Sequence, residues 1–69
     1  MYVKVWYYKY DSVYSAPPYT YKTILPLKVG DIVIAPTKTE PKQRAKVVEV
    51  NADEPHFKCR EIEEYYVAE

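Results

Sequence analysis

The sequence predicts an all-β fold, a small five-stranded, partly open antiparallel barrel spanning residues 1–69 as one domain. Three observations predict it. Tyr2 to Tyr10 is a run of β-branched and aromatic residues, with Val3, Val5 and Tyr7 falling on one face. The sole glycine, Gly30, opens a β-branched run, Ile32-Val33-Ile34-Ala35, that Pro36 closes. After a polar stretch a second β-branched run returns, Ala45-Lys46-Val47-Val48-Glu49-Val50, as in an antiparallel strand pair.

The elements follow in order. Tyr2–Tyr10 is the first strand. Lys4 marks the wetter face, so Trp6 and Tyr8 are partly exposed unless a later segment covers them. Asp11 to Pro18 reads as a loop, because Asp-Ser opens a turn and Ala16-Pro17-Pro18 cannot continue a ladder. Tyr19 to Ile24 is a short second strand with Tyr19 and Tyr21 on one face, broken by Leu25-Pro26. Gly30-Asp31 turns the chain into the third strand, Ile32 to Ala35. Thr37 to Gln43 is an exposed loop, Arg44 to Val50 the fourth strand, and Asn51 to Pro55 a turn.

Residues from Phe57 to Val67 form the last element. A strand beginning near Lys58 would pair an otherwise open sheet edge, as barrel closure requires. A helical turn over Glu61-Ile62-Glu63-Glu64-Tyr65 is the alternative that propensity allows. The proportions are SH3-like or OB-like. The expected core is Val3, Val5, Ile24, Leu27, Val29, Val33, Ala35, Val47 and Val50, with Leu27 and Val29 well buried beside the glycine.

Composition bounds the rest. A chain of 69 residues buries only about 60% of its unfolded surface. Nine tyrosines, one tryptophan and one phenylalanine supply large buried areas in compensation. Six prolines and one glycine lower the entropy of the unfolded chain. The single cysteine, Cys59, leaves no internal disulfide and points to a reducing, cytoplasmic setting. No signal peptide and no apolar run near 18 residues is present, so no membrane partner is expected.

Net charge is zero, but the charges are segregated. Residues 1–48 hold eight basic and three acidic side chains; residues 49–69 hold two basic and seven acidic. Neutrality argues against strong non-specific nucleic-acid binding. The asymmetry leaves room for a local basic face, unless folding intermixes the halves.

The ordered pattern resembles a known family. Tyr19-Thr20-Tyr21, Leu25-Pro26, Val29-Gly30-Asp31-Ile32-Val33-Ile34-Ala35-Pro36 and Ala45-Lys46-Val47-Val48-Glu49-Val50 follow each other as in the N-terminal 3′-DNA-end-binding domain of the primosomal replication-restart helicase (primosomal protein N′). The resemblance covers nearly the whole chain and implies a stand-alone DNA-binding accessory module of the primosome, a bacterial or phage replication component. It also implies a pocket. Tyr19 keeps the family's aromatic, and Lys58 keeps the lysine that leads into the last strand. Thr20 stands where the family has Asp, and Lys38 stands near the position of a glycine, with Thr37 the other candidate. Threonine accepts a hydrogen bond from a terminal hydroxyl as a neutral group, more weakly than a carboxylate. A lysine in place of glycine blocks close backbone approach but adds a phosphate contact. The family's helicase is not expected here, because no Gly-x-x-x-x-Gly-Lys-Ser/Thr loop is present.

Other side chains have two readings each. Trp6, Tyr8, Tyr19 and Tyr21 either stack on bases, worth about 1–3 kcal/mol per base, or fill core volume. Lys42, Arg44 and Lys46 share a strand face and, with Lys38, either track a phosphate backbone or form a solvated gatekeeping face. His56 and Cys59 lack two further ligands for structural zinc, so no metal or other cofactor is expected. Cys59 reads as a small buried residue between Lys58 and Arg60. No nucleophile–base set can be assembled, so no enzyme is expected. Two functions therefore stand as expectations. One is a module binding single-stranded or forked DNA through Tyr19, Thr20, Lys38, Lys42, Arg44, Lys46 and Lys58. The other is an SH3-like protein-interaction module with a tyrosine-rich surface, whose partner is a replication protein or another protein.

Overall fold

A computed structural model describes residues 1–10, 12–13 and 17–67. The described residues form strands β1 (Tyr2–Lys9), β2 (Ser12–Val13), β3 (Tyr19–Thr23), β4 (Ile32–Ile34), β5 (Arg44–Ala52), β6 (Glu61–Ile62) and β7 (Glu64–Tyr65), and no helix. The order across the sheet is β6-β3-β1-β5-β4-β7, with β2 paired to the far end of β1.

Closure is made by the C-terminal segment. β6 runs parallel to β3, and β7 runs antiparallel to β4. The antiparallel steps β3–β1–β5–β4 make these two requirements agree in direction. The last strand is thus one course, interrupted at Glu63. Its first half pairs with one outer edge of the sheet and its second half with the other. This nearly closes the barrel and leaves little unpaired edge. The strand starts at Glu61, three residues later than its expected start near Lys58, and the helical alternative is absent from residues 61–65.

Inward residues alternate as the period demands. Val3, Val5, Tyr21, Leu27, Val33, Ala35, Ala45, Val47 and Ile62 are buried, and Tyr7, Leu25 and Val50 pack against them. Two residues expected in the core are outside it. Ile24 is 89% exposed. It follows Thr23, which already faces inward, and there the chain bends, with Leu25 N donating to Thr23 Oγ1 (3.0 Å). Leu27 N donates to Leu25 O (2.8 Å), a three-residue turn about Pro26 that swings Leu27 inward instead. Val29 is 61% exposed because it sits at the tip of the next turn, where Asp31 N donates to Lys28 O (3.1 Å). Val50 is half-buried rather than central.

Two expected irregular segments contain strand. Ser12 and Val13 pair with Lys9 and Tyr8, extending the first strand into a hairpin. Tyr10 leaves β1 with φ 59°, the sign that tight hairpin turns favour and that few non-glycine residues adopt. Asp11 and residues 14–16 of that expected loop lie outside the described residues. At the other end, Asn51 and Ala52 belong to β5, not to a turn. Pairing of β1 with β5 shifts register between Tyr2 and Lys4, and again between Lys4 and Val5. Extra residues on β5 bend and twist it, which a closing sheet needs. Asn51, at φ 53°, takes up one of these irregularities. Asparagine tolerates that conformation better than most residues.

Gly30 sits at the third position of the Lys28–Asp31 turn with φ 99°. Asp31 Oδ2 accepts from Lys28 N (3.0 Å), and Gly30 N donates to Val47 O (2.9 Å). An added Cβ would meet nothing within 4 Å, so the requirement is dihedral and not steric. Gly30→Ala is expected to cost about 1–2 kcal/mol, and Gly30→Asn less, because Asn visits positive φ more readily. Urea midpoints at a common m value measure both. Equal losses for the two variants would contradict a purely conformational origin.

Candidate functional site

The site grows out of the alternation in β1 and β3. Val3, Val5 and Tyr7 face inward from β1, and Tyr21 and Thr23 from β3, with Tyr19 on the same face. The antiparallel register sets Tyr21 opposite Val3 and Tyr19 opposite Val5. The valines fill the middle of the barrel, and the larger Tyr7 continues the same face beyond it. Its ring stacks on Tyr19 (centroids 4.5 Å apart, planes 15° apart) and meets Tyr21 edge-on at 6.5 Å. These are the two geometries that aromatic quadrupoles favour.

The hydroxyls form a directed chain. Tyr21 O–H donates to Pro36 O (2.8 Å). Its one proton is thereby used, so Tyr7 O–H is the donor in the 2.6 Å contact between the two hydroxyls. Burial pushes the Tyr21 hydroxyl far above the usual tyrosine range, with the Tyr7 hydrogen bond adding to it. Burial raises Tyr7 as well, opposed by the bond to Tyr21.

Above this chain lies an open hollow of about 240 Å³, lined by Tyr7, Pro18, Tyr19, Thr20, Tyr21, Phe57, Lys58, Cys59 and Arg60. Lys22 N donates to Arg60 O (3.1 Å), which ties the segment leading into β6 against the end of β3. Phe57, Lys58 and Arg60 are exposed beside Tyr19, itself 52% exposed. One face of the Tyr19 ring rests on Tyr7. The lining holds two cations and no carboxylate.

Three expected site residues therefore converge: Tyr19, Thr20 and Lys58. The other four do not line this hollow. Lys38 stands exposed at the tip of a loop whose base is Thr37 and Glu40. There Thr37 Oγ1 accepts from Glu40 N (2.8 Å), so neither Lys38 nor Thr37 takes the glycine's place beside the pocket. The chain entering that loop does reach the floor, through the Pro36 carbonyl. Lys42 precedes β5 and flanks a separate depression with Tyr65, Tyr66 and Val67. Arg44 is engaged within the molecule. Its guanidinium lies 4.5 Å from the Tyr8 ring centre and 5.2 Å from that of Tyr66, and donates to Tyr10 O. Lys46 is half-buried between Trp6 and Ile32, its partners on either side.

Six members of the hollow, Tyr7, Pro18, Tyr21, Phe57, Cys59 and Arg60, are not among the expected site residues. The signal for Arg60 was its alternation with Lys58 about Cys59. Cys59 is half-buried and not the buried residue expected, and burial pushes its thiol up against the pull of Lys22. Among the described residues, no cluster of His, Cys, Asp or Glu is arranged to hold a metal ion. No helix of the described residues is long and apolar enough to cross a membrane. Comparison with known proteins finds no matching family, no matching curated protein and no matching solved structure.

Proposed function

We propose that this protein is a small non-catalytic module that binds single-stranded or forked DNA, as its resemblance to the end-binding domain of the primosomal helicase implies. The convergence of Tyr19 and Lys58 on one hollow that Thr20 also lines carries the reading, because positions far apart in sequence there combine an aromatic face with a cation, two kinds of contact that single strands need. Tyr19, backed by Tyr7, offers a base-stacking platform, and Phe57 a second apolar wall. Lys58 and Arg60 offer phosphate contacts. A hollow of about 240 Å³ is smaller than the pockets of about 300 Å³ and more that enclose drug-sized ligands, so it has room for a single base or a phosphate group and not for a long tract.

Fluorescence anisotropy with labelled single-stranded and forked oligonucleotides tests this. Binding is expected to weaken as salt rises. Tyr19→Ala should cost about 1–3 kcal/mol of binding energy, while Lys42→Gln changes little. Absence of salt-sensitive binding at tens of micromolar protein would refute the proposal.

A second reading, a protein-interaction module, is favoured by a different observation. Ile24 and Val29 present apolar side chains to solvent on one short connection, away from the hollow's lining. A protein partner captured in the presence of nuclease, and lost with Ile24→Ser, would support that reading over the first.

A further inference from the structure

The hollow lies where the seam of the barrel parts. β6 runs parallel to β3, with Lys22 opposite Glu61 and Thr23 opposite Ile62. Toward β1, Thr23 N donates to Met1 O (2.9 Å); toward the C-terminal course, Lys22 N donates to Arg60 O (3.1 Å). Backbone groups alternate sides along a strand, so the N–H and C=O of Thr20 point the same way as those of Lys22. Among the described residues they meet no backbone partner there. Extending the parallel register back by two residues sets Thr20 opposite Cys59. The bond that Lys22 makes, repeated at Thr20, would run from Thr20 N to Lys58 O, and its companion from Arg60 N to Thr20 O. Lys58 O and Arg60 N are also without a backbone partner among the described residues. Thr20, Lys58, Cys59 and Arg60 all line the hollow. Two donors and two acceptors therefore stand unpaired and in register on its two sides, next to a rung already formed.

We infer that the hollow is an open stretch of the seam that zips shut by pairing Thr20 with Cys59, so that closure and ligand binding compete. The closure stands on the ladder geometry alone. The competition rests on the DNA-binding reading above and names the regulation of that same site. Unpaired backbone groups on a sheet edge favour pairing with any strand in reach. Here the strand in reach is the chain's own. Residues 53–60 belong to no strand and supply the slack, while the Lys22–Arg60 bond holds the register, so closing needs no slip. The zip ends at Thr20. One rung further back stands Pro18, which has no N–H to give. Tyr19, Thr20 and Lys58 wall the space that closure removes. A ligand in the hollow therefore holds the seam apart, and its apparent affinity falls in proportion to the closed population.

A disulfide tests both statements. Thr20 lies on the outward alternation of β3 with Lys22, and Thr20→Cys is a small change there. Paired strands lie about 4.8 Å apart, inside the Cα range of about 4.4–6.8 Å that disulfides span, so zipping brings the new thiol within reach of Cys59. In dilute protein with oxidised glutathione, Thr20→Cys is expected to form an intramolecular disulfide with Cys59 about tenfold faster than Lys4→Cys, which stands opposite Thr20 on the far side, in β1. A labelled single-stranded oligonucleotide should then bind the crosslinked protein about tenfold more weakly, and reductant should restore parental affinity. The unmutated protein offers a second measurement. One event protects both donors, so the Thr20 and Arg60 amides should exchange hydrogen at rates slowed by one common factor, about twofold or more. Equal crosslinking rates for the two variants, or free exchange at both amides, would overturn the closure. Unchanged binding after crosslinking would overturn the competition. If neither the parent nor the reduced variant binds the oligonucleotide, the DNA-binding reading falls, while crosslinking and exchange still decide the closure.

Discussion

Ile62→Ala is expected to cost about 2–5 kcal/mol of folding stability, enough to unfold much of the population in a domain this small. Among the described residues Ile62 is the largest side chain wholly removed from solvent, and it belongs to the short strand that completes the barrel. Its loss removes buried apolar surface at the seam, where β6 holds β3 through only two residue pairs. The seam has a polar latch as well. Thr23, the one buried polar side chain among the described residues, donates from Oγ1 to Ile62 O (2.9 Å) and accepts from Leu25 N (3.0 Å). A cavity at Ile62 loosens the strand that this latch grips, so the effect should exceed that of an equal truncation at a strand held along its whole length. Urea denaturation monitored by tryptophan fluorescence measures it, with Ile62→Val as the mild control at about 0.5–1.5 kcal/mol. A loss below 1 kcal/mol for Ile62→Ala would mean that β6 does not close the barrel in solution.

Tyr21→Phe is expected to cost about 1–3 kcal/mol and to change how stability responds to alkali. The ring would still fill its place, but Pro36 O and Tyr7 O–H would lose their shared partner. Tyr7 is half-buried and can turn to water, which places the cost toward the lower end. The pH dependence follows from the raised hydroxyls of Tyr7 and Tyr21. The unfolded chain sheds these protons near pH 10, whereas the folded chain keeps them to higher pH. Above pH 10 the folded state therefore binds more protons, so stability falls as pH rises. The contribution is present in full below pH 10 and is lost as pH climbs toward the folded-state values. Urea midpoints between pH 8 and 11.5 should show a steep alkaline decline in the parent protein and a shallower one in Tyr21→Phe. Identical slopes would mean that the buried hydroxyl chain does not control the alkaline limb.

Much of the barrel is legible in the sequence because strand alternation is local. Val3 and Val5 are buried because they stand two positions apart on the face opposite Lys4. Gly30 announces its turn because only a residue without a Cβ takes φ 99° cheaply. Where the reading departs from the structure, neighbours distant in sequence decide. Ile24 and Val29 are apolar and lie close to true core residues, yet a bend and a turn tip carry them outward. Ile62 sits in a run of glutamates with weak strand character, yet its position between two open sheet edges makes it the centre of closure.

The same division runs through the candidate site. The sequence singles out Tyr19, Thr20 and Lys58 and ranks the basic run from Lys42 to Lys46 beside them. Residue type alone could not separate these groups, since a lysine or arginine in a strand reads the same whether free or engaged. Only the tertiary structure shows Arg44 held between Tyr8 and Tyr66, and Lys46 half-buried on a crowded face. Only it brings Phe57 and Arg60 to Tyr19, across 38 and 41 positions of chain.

By itself, then, the sequence determined an all-β chain, most of its strands and its glycine turn, because alternation and backbone dihedral preference act between near neighbours. The tertiary structure alone decided how the last strand divides between two edges, which apolar residues reach the core, and which cations share a hollow with an aromatic. Those outcomes depend on edge pairing and side-chain packing between segments far apart in the chain, which no local pattern encodes.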